Sequence, residues 1–384
     1  MKDKPESGWQ SISLAILADT PFSRRGKDVF GFGPTITEYN FLASKFKRVT
    51  IFSFEHQSEK NNSSFEKIDA TNIQLILLPR IFWGTDLLDK LNVIVLFPVI
   101  IFLIVILILT HKVIHTRGPS SIAFLGILLS FVFREKKWWH KFAGNWKQDN
   151  APFFYELQRN LLRQAKHSLV SVNGTWQDSP THIKAFINPC LFDSELRLGR
   201  ETLQTKTYNP PYSLVFVGRI EEEKGIFRIL DALAKIEDAL IEGVYFWGGG
   251  KNVKEFESRV KDNKKIRYLG YGKKPQIVKT MLHSHFLLLP SLASEGFPKV
   301  IAEGMAFGCL PVVSNVSSIP HYLNDVNSYL WNPQTEDYYT ILNKALHDLN
   351  KKEKAIRALG VAEQFTYTSY WMQLNNELNL SVDS

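Results

Sequence analysis

The stretch "LLLPSLASEGFPKVIAEGMAFGCLPVVS" (287–314) passes from an apolar run through a Gly- and Pro-containing loop into an amphipathic segment and a second apolar run. This order predicts a strand, a loop, a helix from Pro298 to about Gly308, and another strand, because proline favours the first turn of a helix. Glu295 lies in the predicted loop and Glu303 in the second helical turn. Two carboxylates at these depths can accept hydrogen bonds from hydroxyls on two parts of an extended ligand. Two surface glutamates, one stabilised by the helix dipole, are the alternative interpretation.

The same alternation of short apolar runs and amphipathic segments extends through both halves of the chain, which has 384 residues. It predicts an α/β protein with two Rossmann-like doubly wound domains whose parallel sheets face a cleft. We expect an N-terminal domain at 1–200, a C-terminal domain at 213–364, and an aromatic-rich helix with a tail at 365–384. The polar segment 199–212 has the composition of an interdomain connection.

Composition narrows the possible partners. The chain is 45% hydrophobic and 22% charged, which is typical of a packed globular protein, and its net charge of +8 favours an anionic partner. The basic residues are scattered and no RNA-binding motif occurs, so we expect no nucleic acid partner. Two distant cysteines indicate neither a disulfide framework nor a zinc site. These features, with no apolar signal core in the first ten residues, favour a cytoplasmic protein.

The segment "LNVIVLFPVIIFLIVILILT" (91–110) contains no charged residue. Its length would suit a membrane-spanning helix, but a spanning helix here would divide one parallel sheet between the two sides of a membrane. Two interpretations remain: a helix that covers the sheet and is apolar all round, or a helix whose outer face also inserts into one leaflet. We favour membrane contact, because the basic and aromatic segment "REKKWWHK" (134–141) suits a headgroup interface, although a buried aromatic pair would explain it too.

The segment "VFVGRIEEEKG" (215–225) carries the second chemical signal. Arg219 and Lys224 follow a predicted strand, and Gly225 precedes a predicted helix. Guanidinium and ammonium donors beside a helix amino terminus can bind a diphosphate, whereas a solvated pair beside the neighbouring glutamates is the alternative. The turn "WGGGKN" (247–252) fails the Walker pattern, but its glycines allow a backbone to approach a ligand closely.

These motifs, with "IRYLGY" (266–271) between them, resemble in order and spacing the carboxyl domain of the retaining GT-B glycosyltransferases of family four, over roughly 213–335. The resemblance implies that Glu295 and the amides of Gly296 and Phe297 hold the donor sugar, and that Glu303 holds the ribose hydroxyls. It also implies that two cations clamp the diphosphate and stabilise the departing group. The resemblance further implies that the helix at 365–384 is a crossover helix that returns to the N-terminal domain, as in the GT-B architecture. The catalytic candidates are Arg219, Lys224 and Glu295. The donor-binding candidates are Gly218, Arg219, Lys224, Gly249, Glu295, Gly296, Phe297, Pro298 and Glu303.

The resemblance is weaker in the N-terminal domain. There "VFGFGPT" (29–35) corresponds to the family's glycine loop, whose residues approach the phosphates or the acceptor. Many members carry a His-Gly pair after the strand that matches "KKWWHKF" (136–142), whereas this chain has Ala-Gly-Asn-Trp. A later loop also departs from the family pattern, around 318–321. The candidates in this domain are Gly31, Gly33, Arg117, Gly144 and Asn145.

The sequence therefore predicts a retaining hexosyltransferase with a nucleotide-diphosphate sugar as co-substrate. No Asp-x-Asp triplet occurs, so we expect no metal, and we expect no further cofactor. The acceptor is expected to be a saccharide or lipid-linked molecule at the inner face of a membrane, with the enzyme peripheral or monotopic there, in polysaccharide or glycolipid biosynthesis. A non-catalytic nucleotide-sugar sensor or scaffold and a GT-B nucleotide-sugar epimerase remain alternatives.

Overall fold

The computed structural model describes residues 11–55, 65–79, 87–148, 150–176, 179–292 and 296–378, with the backbone alone for 87–95. The chain forms two compact units. The first takes Met1–Phe186 and Met372–Ser384, and the second takes Ile187–Trp371. Each unit has a mixed α/β structure with its own parallel sheet, which confirms the predicted fold class of two doubly wound domains.

The first unit is built on a ten-stranded sheet, in which β6-β4-β1-β7-β8-β9-β10 lie in this order and are parallel to their neighbours. The remaining strands extend the sheet beside β4 in the order β2-β3-β5, with antiparallel β2–β3 and β3–β5 pairs. Its strands are β1 (Ser13–Ala18), β2 (Phe22–Arg25), β3 (Asp28–Phe32), β4 (Arg48–Glu55), β5 (Phe65–Lys67), β6 (Ile73–Pro79), β7 (Val113–Gly118), β8 (Lys137–Phe142), β9 (Leu169–Val172) and β10 (Ile183–Ala185). Its helices are α1 (Gly33–Lys45), α2 (Leu87–Thr110), α3 (Ser121–Ser130) and α4 (Phe153–Gln164). Strand order reverses between β1 and β7, which is where open α/β sheets bind ligands.

The second unit has the strand order β13-β12-β11-β14-β15-β16, all parallel, as in doubly wound nucleotide-binding folds. Its strands are β11 (Tyr212–Val217), β12 (Ile241–Trp247), β13 (Ile266–Gly270), β14 (Phe286–Leu289), β15 (Leu310–Ser314) and β16 (Tyr329–Trp331). Its helices are α5 (Asp193–Thr205), α6 (Ile226–Leu233), α7 (Val253–Val260), α8 (Lys274–His283), α9 (Lys299–Ala306), α10 (Tyr338–His347), α11 (Lys351–Ala362) and the start of α12 (Tyr367–Leu378). Strand order reverses between β11 and β14, so the end of β11 is the expected binding position.

The central strands of both units are continuously apolar because helices cover both faces of each sheet. All four residues of β14 are buried, as are five of the six in β11. Each fully buried Leu or Phe there contributes about 1.5–3 kcal/mol relative to an exposed side chain. The cores therefore fix the carboxyl ends of the strands that carry the site.

Two local predictions differ from the structure. The sequence predicts residues 199–205 as part of an aperiodic connection, but they form the second half of α5, because Leu196, Gly199 and Leu203 present one buried helical face. It also predicts the segment 29–35 as a glycine loop. Instead Gly31 lies inside β3, paired antiparallel with β2, and Gly33 is the first residue of α1.

Helix α2 is apolar on both of its described sides. One side packs on the sheet core around Leu17, Phe52 and Trp138, and consists of Ile100, Ile104, Leu107 and Ile108, all 5% exposed or less. The outer side carries exposed apolar residues: Phe97, Val99, Phe102, Ile106 and Leu109. Among the described residues, no helix combines the length and the apolar character needed to cross a membrane.

Helix α12 begins in the second unit and ends among residues of the first. In its second half the Gln373 amide donates to the carbonyl of Ala185 at 2.6 Å, and Lys137 Nζ of β8 donates to the carbonyl of Leu378 at 3.3 Å. The last turns of the described chain are therefore part of the first unit's structure. The predicted crossover helix corresponds to α12.

Candidate active site

The carboxyl end of β11 presents two cations of different exposure. The Arg219 side chain is 57% exposed, and its Nη1 lies 2.8 Å from Glu221 Oε2, in a carboxylate that is only 11% exposed. Lys224 ends a short 3-10 helix and is 5% exposed. The predicted diphosphate residues therefore lie where the strand order reverses, with one guanidinium open to solvent and one ammonium enclosed.

The glycines of the turn after β12 lie in close contact with the backbone on both sides of Arg219. A Cβ at Gly248 would lie 1.9 Å from the carbonyl oxygen of Gly218, and a Cβ at Gly250 would lie 2.6 Å from that of Ile220. The Ile220 amide also donates to the carbonyl of Gly249 at 2.9 Å. The glycines predicted to approach a ligand thus have a structural role, since only residues without a side chain allow these two loops to pack.

Gly225 joins the 3-10 helix to α6 in a left-handed conformation, with φ +83. A Cβ at Gly225 would lie 2.2 Å from the carbonyl oxygen of Pro290, which follows β14. The amide of Leu292 donates to the carbonyl of Glu223 at 2.9 Å. The loop after β14 is therefore fastened to the turn that carries Lys224.

The loop-to-helix segment begins as predicted, with Pro298 as the N-cap of α9. Phe297 is buried and stacks on Phe365 with ring centroids 4.6 Å apart. This contact anchors the loop, so the aromatic side chain is structural, whereas the amides of Gly296 and Phe297 remain the candidate donors. Glu295 lies outside the described residues.

Glu303 lies in the second turn of α9, as the sequence predicts. Burial raises the pKa of Glu303, and the positive charges of Lys274 and Lys299 oppose that effect. Lys274 is itself held, because its Nζ lies 2.8 Å from Glu195 Oε1 and donates to the carbonyl of Cys190 at 3.0 Å. The Glu303 side chain is thus partly buried and under the influence of the Lys274 charge, where its carboxyl can accept or donate a hydrogen bond.

The first unit also places an arginine where its strand order reverses. Arg117, near the end of β7, pairs through Nη1 with Glu38 Oε2 at 3.0 Å. Lys141 of β8 pairs with Glu38 Oε1 at 2.6 Å, and both of these residues are at least 96% buried. Glu38 belongs to α1, so one carboxylate ties that helix to two parallel strands.

The remaining candidates in the first unit have packing roles or lie beside Arg117. Gly31 is enclosed, since a Cβ there would lie 2.7 Å from Ile36 Cδ1. The Ala143 amide donates to the carbonyl of Gly118 at 2.8 Å, so the segment with Gly144 and Asn145 follows the strand next to Arg117. Gly33 is the first residue of α1, the helix that also carries Glu38.

Sequence reasoning missed four charged residues of these sites: Glu38, Lys141, Glu221 and Lys274. Glu38 and Lys141 are 103 positions apart, so no local spacing indicates their pairing. Alternation did offer one signal, because Arg117 and Lys141 both lie on the same side of adjacent strands as the buried His115 and Trp139.

Two doubly wound units, one with cations at the carboxyl end of its first strand, define the class of α/β proteins with the GT-B architecture. Residues 201–359, within the second unit, match the family described as glycosyl transferases group 1. The resemblance found in the sequence is confirmed at the level of this match. A comparison with curated proteins found no match.

Solved structures share the fold along nearly the whole chain. Alr3699/HepE of Anabaena, crystallised with UDP and glucose, is 18% identical with a TM-score of 0.66, covering 96% of this chain and 99% of that chain. The lipopolysaccharide outer core galactosyltransferase WaaB is 15% identical with a TM-score of 0.64, over 96% and 99% of the two chains. Sucrose-phosphate synthase of Thermosynechococcus elongatus is 14% identical with a TM-score of 0.64, over 95% and 98%. At these identities the likeness is one of fold.

Proposed function

We propose that the protein transfers a hexose-type sugar, with retention of anomeric configuration, from a nucleotide-diphosphate sugar to a membrane-associated or lipid-linked acceptor. The proposed role is a step in polysaccharide or glycolipid biosynthesis. The observation that carries the proposal is the pair of cations after β11, an exposed Arg219 and an enclosed Lys224, inside the region that matches glycosyl transferases group 1.

The charge of the reaction is assigned to these two cations. When the bond between the sugar and the diphosphate breaks, negative charge grows on the departing phosphate oxygens. Donors that are already fixed in place stabilise this charge without reorganising, and an enclosed ammonium is more effective than one in water. Lys224 is fixed by its 3-10 helix and by the packing of Gly225, and Arg219 supplies a planar guanidinium that fits two phosphate oxygens.

The carboxylates are assigned to the two ends of the donor. Glu303, partly buried and under the influence of the Lys274 charge, accepts hydrogen bonds from the ribose hydroxyls in this proposal. Glu295 and the amides of Gly296 and Phe297 hold the sugar, a role that follows from the Glu-x7-Glu resemblance. Arg117, held by Glu38, is assigned to the acceptor. No metal or other cofactor takes part in the proposed reaction.

Thermal unfolding with UDP, GDP, ADP and their hexose derivatives tests the donor site, because a ligand that binds the folded state raises its melting temperature. We expect one nucleotide series to stabilise the protein, and a labelled sugar from that series to be transferred to acceptors in a membrane extract. Stabilisation without any transfer would favour the sensor or scaffold. Exchange of the sugar for its epimer would favour the epimerase.

The proposed membrane contact uses the apolar surface of two neighbouring helices of the first unit. The outer side of α2 exposes Phe102 by 64% and Leu109 by 59%, and the chain just after α3 exposes Val132 by 71%. Lys136 Nζ donates to the carbonyl of Leu109 at 3.1 Å, which brings a cation to the end of this surface. An apolar surface with basic residues at its edge is suited to one leaflet of an anionic membrane.

Flotation with anionic liposomes tests this contact. The double variant Phe102→Asp/Ile106→Asp replaces two outer residues of α2 and should no longer float, while its melting temperature should change little. Ile356→Asp is the matched control, because Ile356 is a 53% exposed residue on α11 in the other unit. It should float like the unsubstituted protein. Failure of the unsubstituted protein to float would refute the membrane contact and leave the donor assignment unaffected.

A further inference from the structure

The Glu221 carboxylate pairs with the guanidinium of Arg219, the group that the proposed function assigns to the diphosphate of the donor. We infer that the Glu221 carboxylate is an internal competitor of the diphosphate: donor binding displaces it from Arg219, and its return promotes release of the nucleoside diphosphate. The inference rests on the proposed function, in which Arg219 binds the diphosphate. It adds a residue that opposes product retention.

The exposure of the two partners shows which one can move. The Glu221 side chain is 11% exposed, whereas the Arg219 side chain is 57% exposed. The Glu221 backbone is also held on both sides, because its amide donates to the carbonyl of Arg219 at 2.9 Å and its carbonyl accepts from the Lys224 amide at 3.0 Å. The carboxylate is therefore fixed, and the guanidinium is the group that changes partner.

The backbone beneath Arg219 is equally restricted. The carbonyl of Ile220 accepts from the Asn252 amide at 3.1 Å, and the glycines after β12 leave no room for the turn to move toward them. Exchange between carboxylate and diphosphate therefore requires only rotation of the Arg219 side chain. Such a rotation in an exposed residue takes nanoseconds or less, so it does not limit turnover.

Carboxylate and phosphate oxygens accept hydrogen bonds from the same guanidinium donors. A diphosphate that binds Arg219 must either displace the carboxylate or share the guanidinium with it, and sharing places like charges a few ångströms apart. At the protein surface an interaction of this size changes affinity by about tenfold. The same charge opposes the growth of negative charge on the departing group. Glu221 therefore weakens binding of the diphosphate and speeds release of the nucleoside diphosphate.

The neighbouring glutamates provide an internal control. Glu222 is exposed, and its side chain has no ion pair among the described residues, while Glu223 pairs with Lys251 at 3.3 Å. Glu222→Gln therefore makes the same change in net charge as Glu221→Gln, one position away, without altering the partner of Arg219. A difference between the two variants isolates the contact from the overall charge.

Isothermal titration with UDP, GDP and ADP, at low salt and at 0.5 M NaCl, tests the inference. For whichever nucleotide binds, Glu221→Gln should bind it about tenfold more tightly than the unsubstituted protein at low salt. The difference should shrink at high salt, because salt screens exposed charges. Glu222→Gln should change the affinity by less than twofold. Inhibition of transfer by the nucleoside diphosphate should strengthen in parallel with binding.

A double-mutant cycle separates competition at Arg219 from general repulsion. In an Arg219→Ala background, Glu221→Gln should alter nucleotide affinity by no more than twofold. An effect of the same size in both backgrounds would overturn the inference, as would equal or weaker binding by Glu221→Gln alone. If a folded, unsubstituted protein bound none of the three nucleotides, the proposed function would fail together with the inference.

Discussion

The two units hold their arginines in opposite ways. In the first, Arg117 is 19% exposed and pairs with a fully buried Glu38, which also binds Lys141. In the second, Arg219 is 57% exposed and pairs with Glu221. Breaking a buried pair by removing one partner costs about 3–5 kcal/mol, whereas an exposed pair contributes about 0–1 kcal/mol.

This difference separates a fixed group from an exchangeable one. Glu38 joins α1 to β7 and β8, so the position of Arg117 is part of the fold of the first unit. Arg219 is exposed and can change partner by rotation of its side chain, which suits its proposed role of binding and releasing a charged ligand in every cycle. Substitutions should therefore act mainly on stability in the first unit and mainly on turnover in the second.

Arg219→Ala should have the largest effect. We expect transfer to fall by about 10²–10³-fold, the usual cost of removing one donor that stabilises developing charge. The melting temperature should fall only slightly, because Arg219 itself is 57% exposed and its loss affects the fold only through the unpaired Glu221 carboxylate. The measurement is transfer of labelled sugar to a membrane extract, with Lys235→Ala as a control, since Lys235 is an exposed cation paired with Asp337. Transfer within threefold of the unsubstituted rate would remove Arg219 from the mechanism.

Acid should destabilise the first unit more than the second. Burial lowers the pKa of His115 and His140 to about 3, and that of His285 in the second unit to about 4. The unfolded histidines titrate near pH 6.5, so stability is complete above that pH and decreases as the pH falls toward these values. At pH 5 the loss is about 4 kcal/mol in the first unit and about 2 kcal/mol in the second.

Hydrogen exchange measured peptide by peptide at pH 7 and pH 5, corrected for intrinsic rates, distinguishes the two units. Protection should decrease first in β7 and β8, and His140→Gln should reduce that decrease. Equal loss of protection in both sheets would contradict the difference in buried histidines.

Two glycines with positive φ allow a matched test of packing. Gly225 of the second unit has φ +83 and lies against Pro290, whereas Gly26 of the first unit has φ +64, and a Cβ added there would meet none of the described atoms within 4 Å. Gly26→Ala should cost about 1 kcal/mol, the conformational term alone. Gly225→Ala should cost about 3 kcal/mol or more, because the turn must shift. Urea unfolding measures both, and equal costs would show that the contact with Pro290 is unimportant.

Of these variants, Arg117→Ala should change the affinity for the donor nucleotide least. We expect nucleotide affinity to stay within twofold, since Arg117 belongs to the other unit, while transfer falls by about tenfold through weaker use of the acceptor. Stability should also fall, by about 1–3 kcal/mol, which is less than for an isolated buried pair because Lys141 still pairs with Glu38. Titration calorimetry and transfer at varied acceptor concentration separate these effects. A tenfold loss of nucleotide affinity would assign Arg117 to the donor instead.

Much of the second unit could be predicted from local sequence. Its strands are short apolar runs, and Arg219, Lys224 and Pro298 lie at fixed offsets from them, so their positions follow once the strands are assigned. The pairing of Arg219 with Glu221 could not be predicted in this way. The three consecutive glutamates are chemically identical, and only the conformation of the turn decides which of their side chains is buried.

The first unit was harder to predict because its decisive contacts are distant or hidden. Glu38 pairs with Arg117 and Lys141, which follow it by 79 and 103 positions, and no local pattern encodes such distant contacts. In α2 both described sides are apolar, so periodicity cannot distinguish Ile104, which is fully buried, from Phe102, which is exposed. The packing of the neighbouring sheet decides the orientation of such a helix.

The route of α12 bears on how the protein is made. Ribosomes release the first unit's sheet early, yet Ala185 and Lys137 bind amide and carbonyl groups of residues 373 and 378, which are synthesised much later. The first unit therefore lacks these two contacts until about 190 further residues have been synthesised. During that interval a membrane or a chaperone would protect the nascent chain from aggregation.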